Sequence, residues 1–94
     1  MSTEITNNTG QSRYEIRLDG RLAGFAEYRL SGDKTVFTHT EIDSSFEGHG
    51  LGSALARGAL DDVRGAGRRV VPLCPFIKRY IDRHPEYQDI VNAT

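Results

Sequence analysis

The chain has 94 residues, of which 37% are hydrophobic and 27% are charged, and its formal net charge is −1. This length supports one domain with a single core. The balance of 12 basic against 13 acidic residues excludes the basic surface that nucleic acid requires. No apolar run reaches the roughly 20 residues that span a bilayer, so a membrane partner is not expected.

Cysteine and histidine usage narrows the remaining classes. The single cysteine excludes an internal disulfide and is typical of a cytoplasmic protein. Three widely spaced histidines have no metal-ligand spacing, so no metal is expected. Residues 1–12 are polar and are expected to form a flexible lead-in to one domain over residues 13–94. We expect that domain to be a monomer or a weak dimer.

The first half of the domain has the pattern of a β-meander. Polar and apolar residues alternate over 13–18, and the pair Asp19-Gly20 that follows is a strong hairpin signal. Residues 21–30 continue as a second strand. Residues 34–42 are dense in Thr, Val, Phe and Ile and predict a third strand. Three consecutive antiparallel strands are therefore predicted.

Three glycines at alternate positions follow the third strand and open into a helical pattern. Gly48, Gly50 and Gly52 let backbone N–H groups approach a ligand without interference from a Cβ atom. Leu51, Leu55 and later apolar residues recur at helical spacing, which predicts an amphipathic helix. The N–H groups and the positive dipole end of that helix favour an anion. The segment is therefore typical of a phosphate-binding loop.

The second half of the chain predicts one more strand and one more helix. Residues 68–74 predict a strand, and Pro72 within it must lie at an edge or diverge from its neighbour, since it has no N–H to donate. Pro75 suits the first turn of a helix that His84-Pro85 interrupts. The order is βββ-αβα, a mixed α+β fold. The helix between strands three and four implies that this pair is parallel.

Several kinds of phosphate-binding loop have glycines between a strand and a helix, as this segment does. A nucleoside triphosphate P-loop is excluded, because no Gly-Lys-Ser/Thr follows at the required spacing. A dinucleotide-binding loop is disfavoured, since Ser53 stands where the third glycine belongs and Arg68-Arg69 where an acidic ribose ligand should stand. A glycine-rich strand-to-helix connection without any ligand is the structural alternative.

Residues 46–52 resemble the pyrophosphate loop of the GNAT superfamily of N-acetyltransferases, Arg/Gln-x-x-Gly-x-Gly/Ala between a strand and a helix. Glu47 stands where the family usually has Arg or Gln, a departure that concerns the strength of pyrophosphate binding. Residues 39–41, 70–77 and 83–87 are similar to segments of very short, single-domain GNAT-like proteins. The resemblance covers most of the domain and implies a minimal GNAT-like fold with acetyl-coenzyme A (acetyl-CoA) as co-substrate.

The resemblance also implies which residues bind the coenzyme. It implies that strands three and four splay apart, that the pantetheine arm lies between them, and that the Ile42 backbone N–H faces the thioester oxygen. The implied coenzyme-binding residues surround the loop and the start of the last helix: Ile42, Glu47, Gly48, His49, Gly50, Leu51, Gly52, Ser53, Cys74 and Phe76.

Four side chains are candidates for the chemistry that the resemblance implies. Tyr80 matches a family tyrosine that protonates the leaving thiolate. Glu41 could accept the amine proton with help from His39, because alternate strand residues share a face. Cys74 could line the site or carry the acetyl group transiently.

The function that follows is transfer of an acetyl group from acetyl-CoA to an amine, on a protein or on an exposed small molecule. Only Asp19-Gly20 joins the first two predicted strands, so the acceptor side is expected to be open and shallow. A non-catalytic acyl-CoA-binding module is the alternative. A structural domain without a ligand is a further one.

Overall fold

A computed structural model describes residues 2–92 of the chain. Its elements in chain order are β1 (Thr3–Asn8), β2 (Arg13–Leu18), β3 (Arg21–Ser31), β4 (Lys34–Ile42), α1 (Leu51–Gly65), β5 (Arg69–Pro72) and α2 (Pro75–Arg83). Short 3-10 turns occupy Ser44–Phe46 and Pro85–Ile90.

The five strands form one sheet in the order β1-β2-β3-β4-β5. Neighbours are antiparallel from β1 to β4, and β4 and β5 are parallel, as a connection through a helix requires. This arrangement confirms the predicted mixed α+β fold with its antiparallel meander, helix, parallel strand and C-terminal helix.

The N-terminal segment differs from the prediction. A flexible lead-in over residues 1–12 is wrong for Thr3–Asn8, which pairs with β2 along its whole length. Ile5 is the one apolar residue of this strand, and it packs against Gly58 of α1, where an added Cβ would lie 2.6 Å from the Ile5 Cδ1 atom. Backbone hydrogen bonds to β2 stabilise this strand. A prediction from hydrophobic periodicity misses such a strand, because the pattern depends on side chains and not on backbone pairing.

Helix α1 packs on one face of the sheet. Its buried side chains recur at helical spacing: Leu51, Leu55, Ala56, Ala59, Leu60 and Val63. They meet Ile16 and Phe37 from the sheet, which are fully buried. Gly67, at φ 71°, turns the chain after the helix toward β5. The predicted apolar stripe of this helix is confirmed.

A β-bulge interrupts the ladder between β3 and β4. Glu27 pairs with His39, and its neighbour Tyr28 pairs with Phe37, so Thr38 is an extra residue on β4. Bulges bend a strand and increase its local twist. The bulge therefore bends β4 where its partnership with β5 ends.

The parallel ladder ends at the pair of Phe37 with Pro72, whereas β4 continues to Ile42. The N–H of Leu73, the residue after β5, donates to Val71 O of β5 and not to β4. We call the opening beside residues 38–42 the strand gap. The prediction that the chain at Pro72 lies at an edge or diverges from its neighbour is confirmed.

The other face of the sheet has no helix on it among residues 2–92, and it contains a buried carboxylate. Glu15 is only 5% exposed and accepts hydrogen bonds from Arg13 Nε at 2.8 Å, Arg17 Nη1 at 3.0 Å and Asn8 Nδ2 at 3.1 Å. The bond from Arg13, followed by that from Arg17, lowers the pKa of Glu15 to about 2.

Replacing Glu15 with Gln should lower the free energy of unfolding at pH 7 by about 2 kcal/mol. The folded-state pKa lies below the ordinary value of 4.5, so the carboxylate stabilises the fold above that pH. This stabilisation is lost as the pH falls from about 5 to about 2. Urea unfolding across that range should show the loss for the wild type and a flatter profile for Glu15→Gln. Glu27→Gln, the same change on β3, is the control and should keep the wild-type profile.

Candidate active site

The glycine loop is a tight connection between β4 and α1. The Ser44–Phe46 turn begins it, and Asp43 Oδ1 accepts hydrogen bonds from the Ser45 N–H at 2.9 Å and hydroxyl at 2.7 Å. These bonds lower the pKa of Asp43. Gly48 and Gly50 then adopt φ values of 87° and 70°, in the left-handed region that favours glycine.

Gly50 is the N-cap residue of α1 and has no side chain to cap the helix. The first N–H groups of an α-helix have no acceptor within the helix, so those of Leu51, Gly52 and Ser53 are free to bind a ligand. The positive end of the helix dipole lies at the same place. This end of α1 is therefore built to receive an anion.

A cleft of about 290 Å³ opens at the loop, and we call it the loop cleft. Most of the predicted coenzyme-binding residues line it: Ile42, Glu47, Gly48, Gly50, Leu51, Gly52, Ser53 and Phe76. Phe46 also lines it and was missed, since a Phe before a glycine loop has no distinguishing pattern. His49 is exposed and is not among the lining residues.

The third glycine brings α1 and α2 together. A Cβ atom at Gly52 would lie 2.7 Å from Cζ of Phe76, which is closer than real Cβ contacts. Gly52 therefore allows the Phe76 ring to pack on the start of α1 and to form one wall of the loop cleft. The alternating glycines have two structural reasons: left-handed backbone at the first two, and close packing at the third.

Backbone amides of β4 face the strand gap. The Asp43 N–H donates to Ala23 O on β3 at 2.8 Å. Successive residues of a strand point their N–H groups in opposite directions, so the Ile42 N–H points away from β3 and toward the gap. Thr40 has the same orientation. The amide that the resemblance assigned to the thioester oxygen is thus oriented into the gap.

Cys74 lies just after β5, at the end of the strand gap that is next to Phe37. Its N–H donates to Phe37 O at 2.9 Å, and its buried thiol donates to Thr40 Oγ1 at 3.3 Å. Cys74 is also the N-cap residue of α2, and Pro75 follows at the first helical position. The thiol is therefore held on the helix-covered face of β4, beside the gap.

His39 and Glu41 lie on the opposite face of β4. His39 Nε2 is 3.2 Å from Glu41 Oε1, and the two side chains are 55% and 60% exposed. The Phe25 ring lies beside His39, with 6.2 Å between ring centroids. A depression of about 100 Å³ borders Glu41 and Phe25. The candidate base and Cys74 are thus on the two sides of one strand.

Tyr80 has a different neighbourhood from the other predicted catalytic residues. Its ring is buried and stacks on His84, with centroids 3.9 Å apart and an interplanar angle of 17°. Burial raises the pKa of Tyr80. Tyr80 lines a second cleft of about 140 Å³, the helix groove, together with Ser53, Phe76, Arg79, Arg83 and His84. Its assignment as the acid remains a prediction.

Residues 13–90 match the family model of the GCN5-related N-acetyl-transferases. The chain belongs to this family. Protein NATD1 of Xenopus tropicalis is 28% identical over 86 residues, which cover 89% of this chain and 79% of that protein. The resemblance found in the glycine loop is therefore confirmed at the level of the superfamily, and membership of the short single-domain group remains a prediction.

Two solved structures share the fold of this family member. A GCN5-like protein of Staphylococcus aureus, solved by NMR, has a TM-score of 0.72 and 20% identity, covering 97% of this chain and 89% of that chain. The ribosomal-protein-alanine N-acetyltransferase of Brucella melitensis biovar Abortus 2308 has a TM-score of 0.60 and 21% identity, covering 87% of this chain and 62% of that chain. At these identities, the likeness shows the fold.

Residues 2–92 of this GCN5-related chain contain neither a metal-binding cluster nor a membrane-spanning helix. No group of three or more His, Cys, Asp and Glu side chains in these residues could hold a metal ion. No helix in the same range is long and apolar enough to cross a bilayer.

Proposed function

We propose that this chain binds acetyl-CoA and transfers its acetyl group to an amine. The observation that carries the proposal is the loop cleft. There, Gly48 and Gly50 adopt left-handed backbone conformations, and the first N–H groups of α1 have no acceptor within the helix. The cleft lies beside the strand gap. The co-substrate supplies an acetyl thioester and a diphosphate in one extended molecule. Family membership supports the same activity.

The loop would hold the diphosphate through backbone N–H groups of Gly50, Leu51, Gly52 and Ser53. These donors are preorganised, and the helix dipole adds a favourable field. Glu47 lines the same cleft and its carboxylate would repel phosphate if it pointed inward. Its side chain is exposed, so solvent can accommodate it. Binding therefore depends on the backbone.

The strand gap would receive the pantetheine arm. The Ile42 N–H would donate to the thioester oxygen and stabilise the negative charge that develops there. Thr40 and Cys74 border the gap on the helix-covered face, where the thiol would line the site. In a second route, the acetyl group would pass first from CoA to the Cys74 thiol and then from Cys74 to the amine.

The acceptor amine would approach from the open face, where His39 and Glu41 form a hydrogen-bonded pair. Glu41 would take the proton from the attacking amine, and His39 would orient the carboxylate. The C–S bond of the thioester would break as the amide forms, and the CoA thiolate would take up a proton from Tyr80 or from water. Only two residues, Asp19-Gly20, connect β2 and β3, so no wall encloses an acceptor there. An exposed amine, on a protein or on a small molecule, fits this open face better than a substrate that needs enclosure.

Glu41→Gln should lower kcat for acetyl transfer roughly tenfold at pH 7 and leave affinity for CoA unchanged, because water partly replaces an exposed base. Steady-state kinetics with a fixed amine acceptor give both quantities. Glu4→Gln, on the distant strand β1, is the control for loss of one carboxylate. An unchanged kcat in Glu41→Gln would remove Glu41 from the mechanism.

Tyr80→Phe distinguishes the acid that the resemblance implies from a role in binding. Because Tyr80 lines the helix groove, we expect the substitution to raise KM for acetyl-CoA about threefold and to change kcat less than about twofold. A kcat at least tenfold lower, with KM unchanged, would instead establish Tyr80 as the group that protonates the thiolate.

The experiment that tests the proposal combines an NMR titration with a turnover assay. CoA should shift the amide resonances of residues 47–53, and release of free thiol from acetyl-CoA should require an amine. A hundredfold excess over the dissociation constant should stabilise the fold by roughly 2.7 kcal/mol. Unmoved loop resonances would overturn the proposal. Binding without turnover on any amine would favour a non-catalytic acyl-CoA-binding module, which the open acceptor face also suits.

A further inference from the structure

Two arginines line the helix groove without an acidic partner among residues 2–92. Arg79 and Arg83 are four residues apart on α2, both are exposed, and no carboxylate of the described residues lies within 4.0 Å of either guanidinium. The other cationic side chains within α1 and α2 have such neighbours: Arg57 with Asp61, Arg64 with Asp89 and Lys78 with Asp82. The uncompensated positive charge of the two helices is thus concentrated at the groove.

The helix groove adjoins the loop cleft. Ser53 and Phe76 line both, so a ligand held at the end of α1 reaches the groove past the Phe76 ring. The strand gap meets the loop cleft at Ile42. Ile42 does not line the helix groove, so the gap and the groove adjoin different sides of the loop cleft. A ligand with a central diphosphate therefore has two exits, one into the sheet and one between the helices.

We propose that Arg79 and Arg83 bind the 3′-phosphate of the coenzyme and so select CoA over coenzymes that lack it. This inference rests on the proposed function. The pantetheine arm and the nucleotide are attached to opposite ends of the diphosphate, so an arm in the gap leaves the nucleotide for the groove. A phosphate monoester carries a charge of about −1.5 to −2 at pH 7. Two guanidinium groups one helical turn apart match it with forked donors.

His84 and Tyr80 complete the groove on the side of the nucleotide. His84 Nδ1 lies 2.8 Å from Tyr80 O. A carbonyl oxygen only accepts, so Nδ1 carries the proton and Nε2 is left for a ligand or water. The buried Tyr80 ring stacks on His84 and supports this partly exposed ring, against which an adenine base can pack.

The test compares two coenzymes that differ only in the 3′-phosphate. Isothermal titration at low ionic strength should show that wild-type protein binds CoA about tenfold more tightly than dephospho-CoA. In the double variant Arg79→Gln/Arg83→Gln, the affinities for CoA and dephospho-CoA should differ by less than about twofold, because only the binding of CoA becomes weaker. Added salt should reduce the preference of the wild type for CoA. Lys78→Gln removes a positive charge from the same helix outside the groove and should keep the preference.

The outcomes separate this inference from the proposed function. Equal affinity of the wild type for the two coenzymes would overturn the inference while the proposed function stands. A preference that survives in Arg79→Gln/Arg83→Gln, with unchanged thermal unfolding, would assign the 3′-phosphate to other residues and overturn it as well. No binding of either coenzyme to the wild type would overturn the proposed function and the inference together.

Discussion

Gly50→Asp should weaken binding of CoA about a hundredfold without unfolding the protein. Gly50 is the N-cap residue of α1 at φ 70°, and Asp is one of the residues that tolerate the left-handed region. Its carboxylate would place a negative charge beside the N–H groups that bind the diphosphate and would repel it. We therefore expect affinity to fall while the free energy of unfolding changes by less than about 1 kcal/mol.

Gly50→Asn is the matched control for the charge. It has the same size and backbone tolerance but no negative charge, so its affinity for CoA should fall at most about tenfold. Isothermal titration gives the affinities, and urea unfolding gives the stabilities. Wild-type affinity in Gly50→Asp would show that the diphosphate binds elsewhere. Equal losses in the two variants would show that space, and not charge, governs the loop.

Deletion of Thr38 should reduce acetyl transfer about a hundredfold or more, because small displacements of reacting groups have effects of that size. Thr38 is the extra residue of the bulge, so its removal makes the pairs at Glu27 and Tyr28 consecutive. Every later residue of β4 keeps its partner on β3 and its face of the sheet. A straight β4 would remain beside β5 and narrow the strand gap.

Thr38→Ala keeps the extra residue and serves as the control. The Thr38 side chain is exposed and its one hydrogen bond, to Glu27 O, is long at 3.4 Å, so kcat should stay within about twofold of the wild type. Circular dichroism and the CoA-dependent shifts of the loop amides should show that the deletion variant is folded and retains its loop. Full turnover by that folded variant would mean that the bulge does not open the site.

Much of the fold was readable from local patterns. Periodicity and turn residues predicted the strands at 13–18 and 34–42 with the bounds that the structure has, and the α1 stripe was confirmed. Pro72 correctly indicated that its strand lies at an edge or diverges there, because a missing N–H donor is a local property of the residue. β1 was missed because its side chains are mostly polar and exposed, and its stability comes from backbone pairing.

Part of the candidate site was likewise predicted from local patterns, and part was not. The spacing of Gly48, Gly50 and Gly52 predicted the glycine loop at this cleft. Gly48 and Gly50 adopt left-handed backbone conformations, and Gly52 leaves space for the Phe76 ring. The helix groove was not predicted, although Arg79 and Arg83 stand at helical spacing. Spacing on one helix does not reveal that the end of another helix lies beside it.

The amino-acid sequence by itself determined the elements from β2 onward, their order, the glycine loop and the resemblance to the family. Only the tertiary structure decided where the ladder of β4 and β5 ends, which face His39 and Glu41 share, and that Tyr80 lines the helix groove. The reason is physical: dihedral preferences and hydrophobic periodicity act between near neighbours in the chain. A bulge, a strand edge and a cleft arise from hydrogen bonds and packing between distant segments.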